Sequence, residues 1–128
     1  MSATLFNRKS FAERIGDDEE TFHELVDLFL DVQPAKMDLL AQAVAADDYA
    51  QTRIQAHALA GTFRNMSLDA LGDCAKTLER AAAGMEVDTA RTAFLELDEL
   101  FAQAVSELEA LRGGQPVSTG IEVREHAA

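Results

Sequence analysis

The stretch ARTAFLELDELFAQAVSELEAL at residues 90–111 has the most regular apolar pattern in the chain. Its apolar positions follow one another in alternating steps of four and three residues: Ala90, Phe94, Leu97, Phe101, Ala104, Leu108 and Leu111. Because an α-helix turns once in about 3.6 residues, these side chains share one face. The stretch therefore predicts a long amphipathic helix, and Gly113 and Gly114 are expected to end it.

Three further long helices are predicted upstream by apolar spacing of three and four residues. The first is expected from near Asp17, with a kink or brief break before Pro34. The second is expected to be capped by Asp47 or Asp48 and to run to about Asn65. The third is expected between Ser67 as its cap and Gly84 as its terminator.

No segment alternates with a period of two, so the predicted fold class is all-α. Long helices with short connections favour an antiparallel four-helix bundle, and a short additional N-terminal helix, Leu5 to Ile15, is expected to cover one end. The bundle domain is predicted at residues 1–114, followed by a flexible C-terminal tail at residues 115–128.

Composition narrows the class of partner. The chain has 128 residues with 23 acidic and 11 basic side chains, a formal net charge of −12 that disfavours nucleic acid and anionic membranes. No apolar run reaches the roughly 20 residues of a membrane span, and the start lacks a secretory signal. A single cysteine, Cys74, fits a reducing compartment, so a cytoplasmic location is expected.

His57 stands in QTRIQAHALAGTFRNMSL, residues 51–68, and helix geometry turns it toward water. The large apolar residues of this segment lie on an arc about 180° to 280° away from His57. Arg53, Arg64, Ala50 and Gly61 lie within about 40° of it. With Ala60 nearby and Ile54 on the rim, we expect a low, locally basic surface on which a partner docks at Arg53, Ile54 and Ala60.

The sequence resembles the histidine-containing phosphotransfer (HPt) domain family of bacterial two-component phosphorelays. The resemblance is carried by AHALAG, residues 56–61, followed by TFRNMSLDALGDCAKTLERAA, residues 62–82. In that family a helix with His-x-Leu-Lys-Gly precedes a helix whose leucine stripe ends in Leu-Glu. Here His57, Leu59 and Gly61 match the first motif, and Leu78 and Glu79 match the second.

The resemblance implies that His57 accepts a phosphoryl group from an aspartyl phosphate on a receiver domain and relays it to another receiver. It implies a phosphocarrier without autonomous kinase activity, whose partners are response-regulator receiver domains or a hybrid histidine kinase. No cofactor or metal is expected on this chain, because the receiver brings the Mg²⁺. A monomer is expected.

The resemblance also assigns supporting residues. Gly61 matches the small residue that admits the partner, and Glu79 lies where the family has a hydrogen-bond acceptor for the other ring nitrogen. A solvated surface acid is an equal interpretation of Glu79. Ala60 replaces the usual lysine, and we hypothesise that Arg64 substitutes as a phosphate ligand.

Two alternatives remain open on the sequence. One is a degenerate HPt-like module that binds a receiver or kinase domain without phosphotransfer, which the loss of lysine at Ala60 favours. The other is an unrelated four-helix interaction module, or a dimer built through the heptads of the last helix.

Overall fold

The computed structural model describes residues 4–113, and that range contains five helices and no strand. They are α1 (Arg8–Ile15), α2 (Glu19–Ala45), α3 (Tyr49–Asn65), α4 (Asp69–Ala83) and α5 (Val87–Arg112). The predicted all-α class with a short N-terminal helix is confirmed. None of these five helices has the length and apolar character to cross a membrane. The predicted tail at residues 115–128 lies outside the described range, so the domain boundary stays a prediction.

Side-chain caps fix where the first three helices begin. Asn7, Asp18 and Asp48 each precede a helix and accept a hydrogen bond from the backbone N–H three residues later. These bonds satisfy donors that have no partner inside the helix. The predicted cap at Asp48 is confirmed.

The three connections between the long helices share one backbone geometry. The middle residue of each has a positive φ, at 54° for Asp47, 57° for Ser67 and 55° for Met85. The next N–H donates to a carbonyl five residues earlier, as from Leu68 to Phe63 at 2.8 Å. This is the Schellman motif, whose left-handed position favours glycine. None of the three positions holds glycine here, so each turn forms at a local conformational cost.

The predicted cap at Ser67 is wrong for this reason. Ser67 has the left-handed conformation that ends α3, and Leu68 precedes α4 without any side-chain cap. The buried Ser67 hydroxyl instead donates to the Ser10 hydroxyl oxygen at 3.2 Å. Gly84 directly follows α4 as predicted, but the left-handed residue is Met85.

Helix α2 runs through Pro34 as one helix, so no break occurs there. Pro34 is exposed on the outer face of α2. Proline removes the donor for the carbonyl of Leu30, and a helix tolerates this on a face where water replaces the lost bond.

Helices α2 to α5 form an antiparallel bundle in which α3 packs against α2 and α4, and α5 packs against the same two helices. Phe29, Phe63 and Phe101, from three different helices, meet in the centre with ring centroids 6.1 to 6.2 Å apart. The heptad residues of α5, such as Leu97 and Leu108, are buried inside this bundle. The heptads therefore build an internal core.

Helix α1 closes the end of the bundle where α3 stops, as predicted. Phe6 and Phe11 pack against Phe22 of α2 with ring centroids 5.5 to 5.9 Å apart. The N–H groups of Leu5 and Phe6 donate to the Glu107 carboxylate of α5 at 2.9 to 3.0 Å. The first described residues are thus tied to the last helix.

Cys74 of α4 belongs to the core. Its thiol donates to the Ala93 carbonyl at 3.3 Å. Burial, with a smaller effect of the Glu96 charge, raises the pKa of the Cys74 thiol to about 11. The thiol therefore stays protonated at neutral pH and has the packing role expected of an isolated buried cysteine.

The exposed turn at Met85 gives a direct test of the turn geometry. Met85→Gly is expected to raise the free energy of unfolding by about 0.5–1 kcal/mol, because glycine adopts positive φ without steric cost. Ala83→Gly, two residues earlier in exposed helical backbone, should lower it by about 0.5–1 kcal/mol. Urea unfolding monitored by circular dichroism measures both. A loss of stability in Met85→Gly equal to that in Ala83→Gly would contradict the assigned turn.

Candidate functional site

His57 lies near the middle of α3 with 67% of its side chain exposed to solvent. Ala56, Leu59 and Phe63 of the same helix are buried, and their packing sets the rotation of α3 about its axis. That rotation turns His57 away from the core, so the prediction that its imidazole faces water is confirmed.

A hydrogen bond across the α3–α4 contact orients the imidazole. His57 Nδ1 lies 3.0 Å from Glu79 Oε2. An ionised carboxylate only accepts hydrogen bonds, so Nδ1 carries the proton and Nε2 of the neutral ring keeps a free lone pair. The solvated-acid interpretation of Glu79 is wrong, because only 18% of its side chain is exposed and it contacts the ring directly.

Lys76 is the third side chain of a hydrogen-bonded series with His57 and Glu79, and the sequence interpretation missed it. Its Nζ donates to Glu79 Oε1 at 3.3 Å, so the two carboxylate oxygens hold different partners. The i,i+3 spacing of Lys76 and Glu79 on a helix was a usable signal. It became meaningful only once Glu79 was placed beside His57.

The Glu79 carboxyl is held in its ionised form. Partial burial raises its pKa, but the hydrogen bonds from Lys76 and His57 outweigh this effect, and the net pKa lies below the ordinary 4.5. Hydrogen bonds to the charged form of a carboxyl favour that form. Glu79 is therefore an anion throughout the neutral range.

On the side of Gly61, no large side chain of residues 4–113 stands beside His57. Gly61 is exposed, and a β-carbon added there would meet no atom within 4 Å. Arg53 and Ile54, one turn before His57, are also exposed, with Ile54 at 51%. Arg53 makes no ion pair with any residue in the range 4–113. Arg53 and Ile54, two of the three residues predicted to dock a partner, therefore form an accessible border together with Gly61.

Ala60 does not belong to this border, so its predicted docking role is wrong. Only 3% of Ala60 is exposed. Its carbonyl oxygen lies 3.5 Å from the position of a β-carbon added at Gly72, so this part of α3 faces α4. The helical wheel placed Ala60 about 60° from His57, on the side that α4 covers. A wheel describes one helix and contains no information about the neighbouring one.

Arg64 extends over α4 and is not directed toward His57. Its stem lies across Gly72, where an added β-carbon would be 2.8 Å from Arg64 Cγ, and its guanidinium donates to Asp73 at 2.9 Å. Seven residues along a helix span about 10.5 Å. A single arginine side chain does not easily reach over that distance. In this arrangement Arg64 ties α3 to α4, and the predicted role as a phosphate ligand is not supported.

The other described histidine, His23 of α2, pairs with Glu19 one turn away at 3.4 Å. It is partly exposed. Within residues 4–113, no group of three or more histidine, cysteine or acidic side chains has a geometry suited to a metal ion.

Comparison with known proteins decides the family. The model of the Hpt domain family matches residues 24–113, well over half of the chain. The chain belongs to the Hpt domain family. Hpt domains are histidine phosphotransfer modules of phosphorelays, they act as phosphocarriers, and they interact with receiver domains and histidine kinases. The alternative of an unrelated four-helix module is therefore excluded, and a degenerate module is not favoured.

One solved structure supports the Hpt fold. The chain is similar to histidine-containing phosphotransfer protein B (HptB) from Pseudomonas aeruginosa PAO1, with a TM-score of 0.80 and 23% identity. The match covers 90% of this chain and 100% of that one. Among curated proteins, none matches this Hpt domain protein.

The pKa of Glu79 predicts how stability changes with pH. A carboxyl whose pKa is lowered by folding stabilises the folded state above its unfolded pKa, and this contribution disappears as the pH falls through the folded pKa. The excess stability of the wild type over Glu79→Gln should therefore shrink as the pH drops below 4.5. Urea unfolding at a series of pH values measures the difference.

Glu99→Gln is the matched control, because Glu99 is an exposed acid on α5. Its stability should follow the wild type through the same pH range. If the stability difference between the wild type and Glu79→Gln grew as the pH dropped below 4.5, the assigned contacts would be contradicted.

Proposed function

We propose that His57 is the residue of this Hpt domain that accepts and donates the phosphoryl group. The observation that supports the proposal is the His57–Glu79 contact, which leaves Nε2 as the nucleophilic atom on an exposed ring. A nucleophile needs an available lone pair and an open approach, and Nε2 of His57 has both.

The transfer step requires no proton to move. The Nε2 lone pair attacks the phosphorus of an aspartyl phosphate, an N–P bond forms, and the bond from phosphorus to the aspartate oxygen breaks, releasing a carboxylate. The Nδ1 proton stays in place, so the phosphorylated ring carries a positive charge. Glu79, 3.0 Å from Nδ1, is placed to stabilise that charge. Reversal of the step passes the group to a second receiver.

Charge and shape support docking at the border formed by Arg53, Ile54 and Gly61. The chain has a net charge of −12, so the acidic phosphorylation pocket of a receiver is repelled by most of its surface. Arg53 offers a local positive charge, Ile54 an apolar contact, and Gly61 space for close approach. Docking should be local and sensitive to salt.

The remaining parts of the proposal concern what the Hpt chain supplies and what the receiver domain supplies. Phosphoryl transfer needs positioning and charge neutralisation, which the receiver provides with its own acidic pocket and Mg²⁺. The Hpt chain then needs no metal, no cofactor and no autonomous kinase activity. Burial of the α5 heptads inside the bundle supports a monomer. A cytoplasmic location agrees with receiver domains and a hybrid or separate histidine kinase as partners.

Phosphorylation of the purified protein tests the role of His57. Incubation with a phosphorylated receiver domain is expected to give acid-labile, alkali-stable phosphate on the Hpt chain, and His57→Gln should abolish it. His23→Gln, which removes the other described histidine, should leave it unchanged. If His57→Gln still carried acid-labile phosphate, the phosphate would be assigned to another residue.

Docking is tested by filling the space at Gly61. Gly61→Leu is expected to fold, because no atom lies within 4 Å of the added β-carbon. It should slow transfer from the receiver about tenfold or more, equivalent to at least about 1.4 kcal/mol of lost docking energy. Ala102→Leu adds a side chain at an exposed position of α5, diagonally across the bundle, and should transfer at the wild-type rate. Equal rates for the two variants would place the docking surface elsewhere.

A further inference from the structure

The Glu79 carboxylate is held at both ends. Oε2 accepts from His57 at 3.0 Å and Oε1 accepts from Lys76 at 3.3 Å. A carboxylate fixed at one oxygen only is free to rotate about its last bond, and the second contact restricts that rotation. The orientation of the His57 ring therefore depends on Lys76 as well as on Glu79.

The register of the two helices explains why Lys76 has room beside the site. From the His57–Glu79 pair, seven residues forward on α3 and seven backward on α4 lead to Arg64 and Gly72, which are in contact. Three residues along the same antiparallel register place Lys76 opposite Ala60. A small residue at position 60 leaves space on α4 for the lysine stem, and two thirds of the Lys76 side chain is shielded from solvent.

We propose that Lys76 is a positioning residue for phosphotransfer at His57. It anchors Glu79 in the orientation that keeps the proton on Nδ1, and it contributes from α4 the positive charge that Ala60 does not provide from α3. This rests on the proposed function of His57. Because Lys76 acts through Glu79, it need not touch the transferred phosphoryl group.

The charge of Lys76 acts on both stages of the step. Before transfer, its contact with Oε1 keeps Glu79 an anion and therefore a hydrogen-bond acceptor. During transfer, the phosphoryl group brings two negative charges close to Glu79, and Lys76 offsets part of the resulting repulsion. A neutral side chain of the same length would keep the packing and lose both effects.

Lys76→Met tests the proposal, because methionine retains most of the stem and removes the charge. Nitrogen-15 NMR of the His57 ring in the unphosphorylated protein should show Nδ1 protonated in the wild type and a mixture of tautomers in Lys76→Met. The rate of phosphoryl transfer from a receiver should fall about three- to fivefold, the range expected for one partly exposed charged contact.

Two further variants separate charge from packing. Lys76→Arg restores a cation and should recover both the ring signature and most of the rate. Lys9→Met makes the same charge change on exposed α1 at the far end of α3 and should match the wild type. If Lys76→Met matches the wild type in spectrum and rate, or if Lys76→Arg behaves like Lys76→Met, the proposed role of Lys76 is wrong.

The two proposals fail in different ways. If the wild-type chain takes no phosphate on His57, the proposed function fails. The ring spectra are recorded without phosphate, so they decide the Lys76–Glu79–His57 coupling even in that case.

Discussion

The packing of α3 against α4 is the constraint on which the site depends. Helix α3 supplies the imidazole and α4 supplies the groups that orient it, so neither helix has a functional site alone. Small residues set the closeness of this contact: Ala60 is buried within it, and Gly72 leaves space for the Arg64 stem. The connection at Ser67 fixes the relative register, since its left-handed conformation reverses the chain within three residues. A shift of one residue between the helices would separate His57 from Glu79.

The imidazole of His57 has to meet two requirements. It must be accessible to a partner, and it must present one particular ring nitrogen. Exposure alone gives a histidine that rotates freely and exchanges between tautomers. The bundle meets both requirements by holding the ring through Nδ1, with a carboxylate that is itself partly buried. The residues Arg53, Ile54 and Gly61 around the ring stay accessible.

The sequence was most informative where a single helix determines the outcome. Apolar periodicity was sufficient for the helices and for the outward direction of His57, because both depend on one helical period. It was insufficient wherever a second helix intervenes. Ala60 was predicted at the surface because one helical wheel does not include α4. Arg64 was predicted as a phosphate ligand, although its guanidinium binds Asp73, and Lys76 was overlooked. The turn at Ser67 was misassigned because serine is a common helix cap and an uncommon left-handed residue.

The bond between the first described residues and Glu107 has a consequence for how the domain is connected to others. Helices α3 and α5 run in the same direction, so Leu5 and the C-terminal end of α5 lie at one pole of the bundle, and His57 lies on its flank. The two ends of the described range, at residues 4 and 113, thus lie near one another, and a linker to a receiver domain would leave the bundle from the same pole on either side. The effective concentration of the receiver domain at His57 would then be governed by linker length and stiffness, whichever end carried it. Domain order along a fused chain is therefore a weak restriction on relay between neighbours.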